Sequence, residues 1–335
     1  MTKRNEKRKR KLRTLILLLF LTIIMFGTAT YAWFTANRMV TISTLNVHVE
    51  ASNGIQISTD ASTWKSIITN ADITTNAYTG HTNMLPANVN NVSTVGAVNS
   101  TTGHMNMYKP TISSDASTGN YNITTELDTE TAGSTGNFIA FDIFLRVDSD
   151  KTIYLTGDSN VIAKANTEDK GLKNAARVAF VKQGHGASTD AVSSLTGLNN
   201  QIAQTAIIWE PNSDTHSPLV TSQVATEYGV TIGNGSNASY TNYCGVKQPI
   251  TTAVDLVQLV NCTNTTDTQA VTPDIRTTYG NTAYNQIFAL TSGVTKFRVY
   301  MWIEGQDIDC ENNATGSDIS FNVQLSTESS ASGTP

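Results

Sequence analysis

The segment Thr295–Glu304 sets the strongest limit on the fold, because its residues alternate strictly in character. Such a period of two is typical of a β-strand with one face on the core and one in water. The segments Phe138–Asp148 and Ile319–Leu325 alternate in the same way. In Thr295–Glu304 the inward residues are predicted to be Phe297, Val299, Met301 and Ile303, and the outward ones Lys296, Arg298, Tyr300, Trp302 and Glu304.

The composition points to the same fold class. The 335 residues include 51 Thr and 31 Asn, and only 15% are charged. Threonine favours strands and asparagine favours turns, whereas a coiled coil or a highly charged disordered chain needs other residue types. We therefore predict an all-β protein with an antiparallel β-sandwich. Weaker strands are predicted at Ile55–Ser58, Ile153–Thr156, Arg177–Lys182 and Thr205–Trp209.

Long polar stretches interrupt this pattern. We interpret residues 33–326 as a single sandwich domain with polar insertions at about 59–137 and 210–285. The second insertion holds one candidate short helix, Thr252–Leu259. Residues 327–335 are predicted to form a flexible tail.

The N-terminus has the layout of a secretory signal helix. The first 13 residues carry a net charge of +7, the apolar run Leu15–Phe26 follows, and small residues lead up to Ala32. We predict a signal peptide over 1–32, cut between Ala32 and Trp33, with Gly27 and Ala29 as a second choice of cleavage residues. An uncleaved membrane anchor is the alternative, since a helix over 15–32 would span about 27 Å. In either case the body of the protein is exported, to the cell surface or beyond.

The exported body is acidic, with a net charge of −12 over residues 14–335. Nucleic-acid binding needs basic residues on the folded surface to contact phosphates. The sequence therefore predicts that nucleic acid is not a partner.

The residues around the predicted cut resemble a known family. Thr28–Arg38 is similar to the signal-peptide junction of the TasA/camelysin family, and Thr41–Val47 resembles the first strand of that family. The resemblance implies cleavage by a signal peptidase of the SipW type, a jelly-roll-like sandwich and extracellular self-assembly. It also implies a structural role, as a subunit of a biofilm matrix fibre or cell-surface layer.

The same resemblance implies how the subunits join. In TasA-like fibres the N-terminal segment of one subunit completes a sheet of the next by β-strand addition. Here the donor would be residues 33–43, with Phe34, Val40 and Ile42 as its apolar side chains. The alternating pattern changes phase near Ser43, which fits a strand leaving its own domain and fits a simple bulge equally well.

Camelysin's description as a metalloprotease makes catalysis a third function to test. The helical H-E-x-x-H pair and the G-x-S-x-G elbow are both absent from the sequence. His48 and Glu50 share one face of a predicted strand, but a catalytic zinc site needs three protein ligands. We predict that the chain is not an enzyme and that its histidines decorate the surface: His48, His81, His104, His185 and His216.

An acidic loop is a weak candidate for structural calcium. Its oxygen ligands would be Asp307, Asp309, Glu311, Asn313 and Asp318, but Asn312 occupies the position at which an EF-hand turn requires glycine. A solvated hairpin loop is the favoured interpretation, and no other cofactor is expected.

Three cysteines, Cys244, Cys262 and Cys310, would face an oxidising exterior after export. One disulfide and one remaining thiol are expected, and all three pairings stay open. All three thiols remaining reduced is also open, as in an anaerobic host.

Exposed aromatic residues would suit a glycan-binding module, which is the alternative to the structural role. Trp302 and Tyr300 fall on the predicted wet face of their strand and are candidate ligand platforms. Burial in a core or interface is the competing interpretation for the tryptophans at 33, 64, 209 and 302. Cell-wall or matrix components would be the partners of such a module.

Overall fold

A computed structural model describes most of the chain as an all-β sandwich. The described residues are 47–51, 54–86, 88–114, 121–164, 171–199, 204–212, 255–256, 275–276, 284–305, 307, 309–310 and 318–329. Two short helices, α1 (Asn70–Thr75) and α2 (Val192–Thr196), accompany the strands, with a 3₁₀ turn at Leu172–Ala175. Within those residues no helix has the length and apolar character to cross a membrane.

Eighteen strands make up the described β-structure. In chain order they are β1 (Val47–Ala51), β2 (Ile55–Ser58), β3 (Ile67–Thr69), β4 (Asn91–Val92), β5 (Ala97–Val98), β6 (Met107–Ser114), β7 (Tyr121–Asp128), β8 (Ile139–Val147), β9 (Lys151–Leu155), β10 (Asn160–Ala163), β11 (Ala176–Gly186), β12 (Gln204–Thr205), β13 (Ile207–Glu210), β14 (Asp255–Leu256), β15 (Ile275–Arg276), β16 (Asn285–Leu290), β17 (Gly293–Glu304) and β18 (Ile319–Ser326).

Two sheets form the sandwich. Sheet one has the order β16-β9-β18-β1-β3, with β10 also beside β18, and sheet two has the order β15-β13-β11-β17-β8-β2, with β4 also beside β17. Most neighbours are antiparallel, while β1–β18, β13–β15 and β4–β17 are parallel. The β8–β9 and β16–β17 connections are two of those at which the chain crosses between the sheets. The predicted weaker strands are confirmed as parts of β2, β9, β11, β12 and β13.

The main core lies between the two sheets. The inward residues of β18 are Ile319, Phe321, Val323 and Leu325, each about 1% exposed, as the alternation predicts. The residues of β8 and β17 that the alternation predicts to point inward lie in the same core, so this prediction is confirmed. In β1, Val47 and Val49 are buried, so this first described strand enters the sheet with its valines on the core.

The prediction that one face of β17 is exposed to water is wrong, because all twelve residues of the strand are buried. The reason is a second apolar layer on the outer face of sheet two. Side chains from the first polar insertion pack there against Tyr300 and Trp302 of β17. The insertion contributes Met84, Val92, Val98, Met105 and Met107 to this layer. The outer face of sheet two is thus covered along β17, and the alternating polar residues of that strand lie inside the protein.

The candidate helix at Thr252–Leu259 is also corrected where the structure describes it. Asp255 and Leu256 form β14, which pairs with Thr124 and Ile123 of β7. Together β14, β7 and β6 make a small third sheet. Backbone pairing with another segment, which a local pattern does not reveal, decides this element.

Candidate functional site

A buried ionic network occupies the outer face of sheet two, beneath the inserted layer. Arg298 lies at its centre: Nη1 donates to Asp142 Oδ1 at 2.9 Å and Nε to Glu130 Oε2 at 2.9 Å. Arg298 Nη2 also donates to the carbonyl oxygen of Thr82 at 3.0 Å. The guanidinium therefore ties two strands of sheet two to two connecting segments of the insertion.

Aromatic hydroxyls and a lysine complete the network. Tyr300 Oη donates to Glu130 Oε1 at 2.5 Å and accepts the backbone N–H of Met105 at 2.9 Å. Tyr78 Oη donates to Asp142 Oδ2 at 2.6 Å. Lys296 Nζ lies 3.5 Å from the same oxygen and donates to the carbonyl of Thr196 at 2.8 Å. Two cations thus face two carboxylates, which is the arrangement that buried charges require.

The strand register explains how these residues meet. Arg298 of β17 stands directly opposite Asp142 of β8, and Lys296 precedes it by two residues on the same face. Glu130 comes from the segment after β7. The alternating pattern places Lys296 and Arg298 on one face, but it does not reveal Asp142 and Glu130 as their partners, because pairing between distant segments has no local signal.

The network shifts the pKa values of its members. Burial alone would raise the pKa of Asp142, but the nearby Arg298 and Lys296 hold it below its usual range. Burial and the Glu130 carboxylate raise the pKa of Tyr300 well above its ordinary value, so Tyr300 stays a hydrogen-bond donor. Burial lowers the pKa of Lys296, although Asp142 opposes that shift.

His104 belongs to the same neighbourhood and is not a surface decoration. Its Nδ1 lies 3.4 Å from Glu130 Oε1, and its side chain is 32% exposed. Burial lowers the pKa of His104, with Arg298 adding to the effect and Glu130 opposing it.

These shifts predict two steps of acid destabilisation. His104 binds its proton less readily in the folded state, so the free energy of unfolding should begin to fall below about pH 6.5. The folded-state pKa of Asp142 is lowered. The pKa of Asp60 is lowered to about 2, because the N–H groups of Thr63 and Ser62 outweigh the opposing effect of burial. Their stabilisation is present above about pH 4 and is lost as the pH falls further.

Urea titrations from pH 8 to pH 2.5 measure both steps. His104→Gln should remove the step near pH 6.5 and keep the one below pH 4. If the first step persists in that variant, His104 is not its source.

The first two carboxylates of the predicted solvated loop are buried, and one of them belongs to a second buried ion pair. Arg177 of β11 donates to Glu210 Oε1 at 2.9 Å and contacts Asp307 Oδ2 as well. Asp307 and Asp309 are each about 1% exposed, and Asp307 Oδ1 accepts the backbone N–H of Asp309. Asp307 thus serves as the partner of an arginine, while Glu311 lies outside the described residues.

The proposed sugar-stacking residues are corrected too. Tyr300 is 0% exposed and Trp302 is 1% exposed, so neither ring can stack on a ligand at the surface. Trp209 lies in the core between the sheets. Trp64 is half-buried, and the guanidinium carbon of Arg146 lies 4.2 Å from its ring centroid.

Several predicted residues lie outside the part of the chain that the structure describes. These are the cleavage pair Ala32 and Trp33, the donor residues Phe34, Val40 and Ile42, and Cys244 and Cys262. Cys310 is described and is fully buried in the main core. Among the described residues, no three His, Cys, Asp or Glu side chains are grouped to hold a metal ion.

No family model, curated protein or solved structure matches the chain.

The edges of the two sheets differ in their capacity to accept another strand. In sheet two, β15 has two residues, and Ile57 of β2 exchanges two backbone hydrogen bonds of 2.9 Å with Lys65. In sheet one, β3 has three residues and runs directly into α1. The edge strand β16 has six residues, and within the described chain β9 is the strand that pairs with it. The free side of β16 is thus the longest available edge among these four.

Proposed function

We propose that this protein is a secreted structural subunit that self-associates by β-strand addition, with its N-terminal segment as the donor. The observation that carries the proposal is a β-sandwich whose sheet one ends in a six-residue strand, β16, with no described partner on its outer side. An edge strand of this kind exposes backbone N–H and C=O groups that another chain can pair with. Affinity then comes from main-chain hydrogen bonds rather than from a ligand pocket.

The position of β1 supports the assignment of the donor. β1 is an interior strand held between β18 and β3, and it starts at Val47. The fourteen residues 33–46 precede it and include alternating apolar residues. After the proposed cleavage by a signal peptidase of the SipW type they would form the new N-terminus, outside the cell.

The proposal is tested by electron microscopy of two chains at increasing concentration. The chain that starts at Trp33 should form fibres, and the chain that starts at Leu45 should stay monomeric. Both retain β1 and every residue of the described core, so their urea midpoints serve as the folding control. Uniform single particles of the longer chain at every concentration would overturn the proposal.

A further inference from the structure

We infer that the free side of β16 is the acceptor edge, and that its occupant is the segment 33–42 of a second copy of this chain. This inference rests on the proposed function and adds the place at which the subunits join. Edge length, charge, core coverage and strand order each support it.

The composition of β16 is unusual for an exposed edge. Its six residues, Asn285–Leu290, carry no charge. Natural proteins commonly protect an edge strand with a charged residue, a proline, a β-bulge or a covering segment. Of these devices β16 has a bulge, between Gln286 and Phe288 where it pairs with β9. By contrast, β6 carries Pro110, and β2 is covered by Lys65. β16 therefore combines the greatest length among the described edge strands of the sandwich with the absence of a charge and a proline, which suits a strand that pairs with another chain.

The described core is least covered at two edge strands, one in each sheet. Ile287 and Phe288 of β16 are 8% and 9% exposed, and Ile275 of β15 is 7% exposed. Every other residue of this core is at most 4% exposed. Phe288 stacks on Phe297 with ring centroids 4.4 Å apart, so its ring is continuous with the interior.

An added strand would close this gap. Val40 and Ile42 share one face of a β-strand because they are two residues apart. Placed beside β16, that face covers Ile287 and Phe288 and removes their remaining apolar surface from water. Strand addition here combines backbone pairing with completion of the core.

The strand order of sheet one separates the donor from the acceptor edge, because β18 and β9 lie between β1 and β16. The first residue of β1, Val47, pairs with Phe321 near the start of β18. The first residue of β16, Asn285, is level with Leu325 near the end of β18, because both pair with Leu155 of β9. The donor therefore leaves sheet one about 13 Å from the beginning of β16, measured along the strands. Donor and acceptor are different surfaces, so repeated head-to-tail joining gives an open filament when the rotation between subunits does not close a ring.

Site-specific photocrosslinking tests the acceptor edge. A benzophenone amino acid replaces Gln286 on β16 or, as the matched control, Gln56 on the edge strand β2; both glutamines are exposed. Each variant is assembled from residues 33–335 as a mixture of ¹⁵N-labelled and unlabelled copies. Mass spectrometry then assigns each crosslinked peptide to the same copy or to another copy.

We expect position 286 to crosslink to residues 33–42 of another copy, and position 56 to give no such product. Three results, each obtained with fibres present, would overturn the acceptor assignment and leave the proposed function intact. They are no crosslink from position 286 to the donor, that crosslink only within one copy, and a crosslink from position 56 to the donor. Absence of fibres from the unmodified chain would overturn both.

Discussion

Replacement of Arg298 by alanine is expected to lower the free energy of unfolding by about 3–5 kcal/mol. The substitution leaves Asp142 and Glu130 as buried carboxylates without their main cation, and it removes the hydrogen bond to the carbonyl of Thr82. An uncompensated buried charge costs far more than a lost surface ion pair. Chemical denaturation at pH 7 measures the change.

Arg146→Ala is the matched control, because Arg146 lies on the same face of sheet two, in β8. Its guanidinium donates to Gln56 in an exposed hydrogen bond and stacks on Trp64. We expect a loss of about 1 kcal/mol or less. Equal losses for the two arginines would show that burial of the Arg298 network does not stabilise the inserted layer.

Trp302→Ala is expected to destabilise the protein by about 3–5 kcal/mol, the range for truncation of a buried large aromatic residue. Trp302 is 1% exposed in the layer between sheet two and the insertion, and its Nε1 donates to Glu304 Oε2 at 3.1 Å. The substitution opens a cavity and removes the donor to a buried carboxylate.

Trp64→Ala is the companion variant, with a smaller expected loss because Trp64 is half-buried. Both variants are measured by urea denaturation and by binding to a panel of cell-wall glycans. Glycan affinity that disappears in folded Trp302→Ala and persists in Trp64→Ala would contradict the burial of Trp302. It would also favour the glycan-binding alternative.

The sequence alone predicts the core face of the sandwich well. Apolar residues at every second position of β8, β17 and β18 identify the inward side, because a strand's side chains alternate between its faces. The opposite face of β17 was misjudged for a physical reason. The pattern of a single strand predicts that Lys296 and Arg298 are exposed to solvent. Their burial depends on partners in a segment more than 150 residues away from Arg298.

The edges could be predicted only in part. The sequence indicates strands and polar insertions, but it does not say which strand lies at an edge, because strand order depends on pairing between distant segments. Ile57 and Lys65 show the difficulty, since two backbone hydrogen bonds between residues with no shared pattern close the edge at β2. The absence of charge in Asn285–Leu290 was visible in the sequence and had no meaning until β16 was placed.

The short link between β16 and β17 has a mechanical consequence. Two residues, Thr291 and Ser292, join the edge strand of sheet one to a central strand of sheet two. Tension applied to β16 along its length therefore passes directly into β17, which is hydrogen-bonded to β8 and β11 along most of its length. These bonds lie perpendicular to the pull, so the strand can slide only if many of them break together. A filament joined at β16 would therefore resist stretching, because extension requires β17 to shear past β8 and β11 within sheet two.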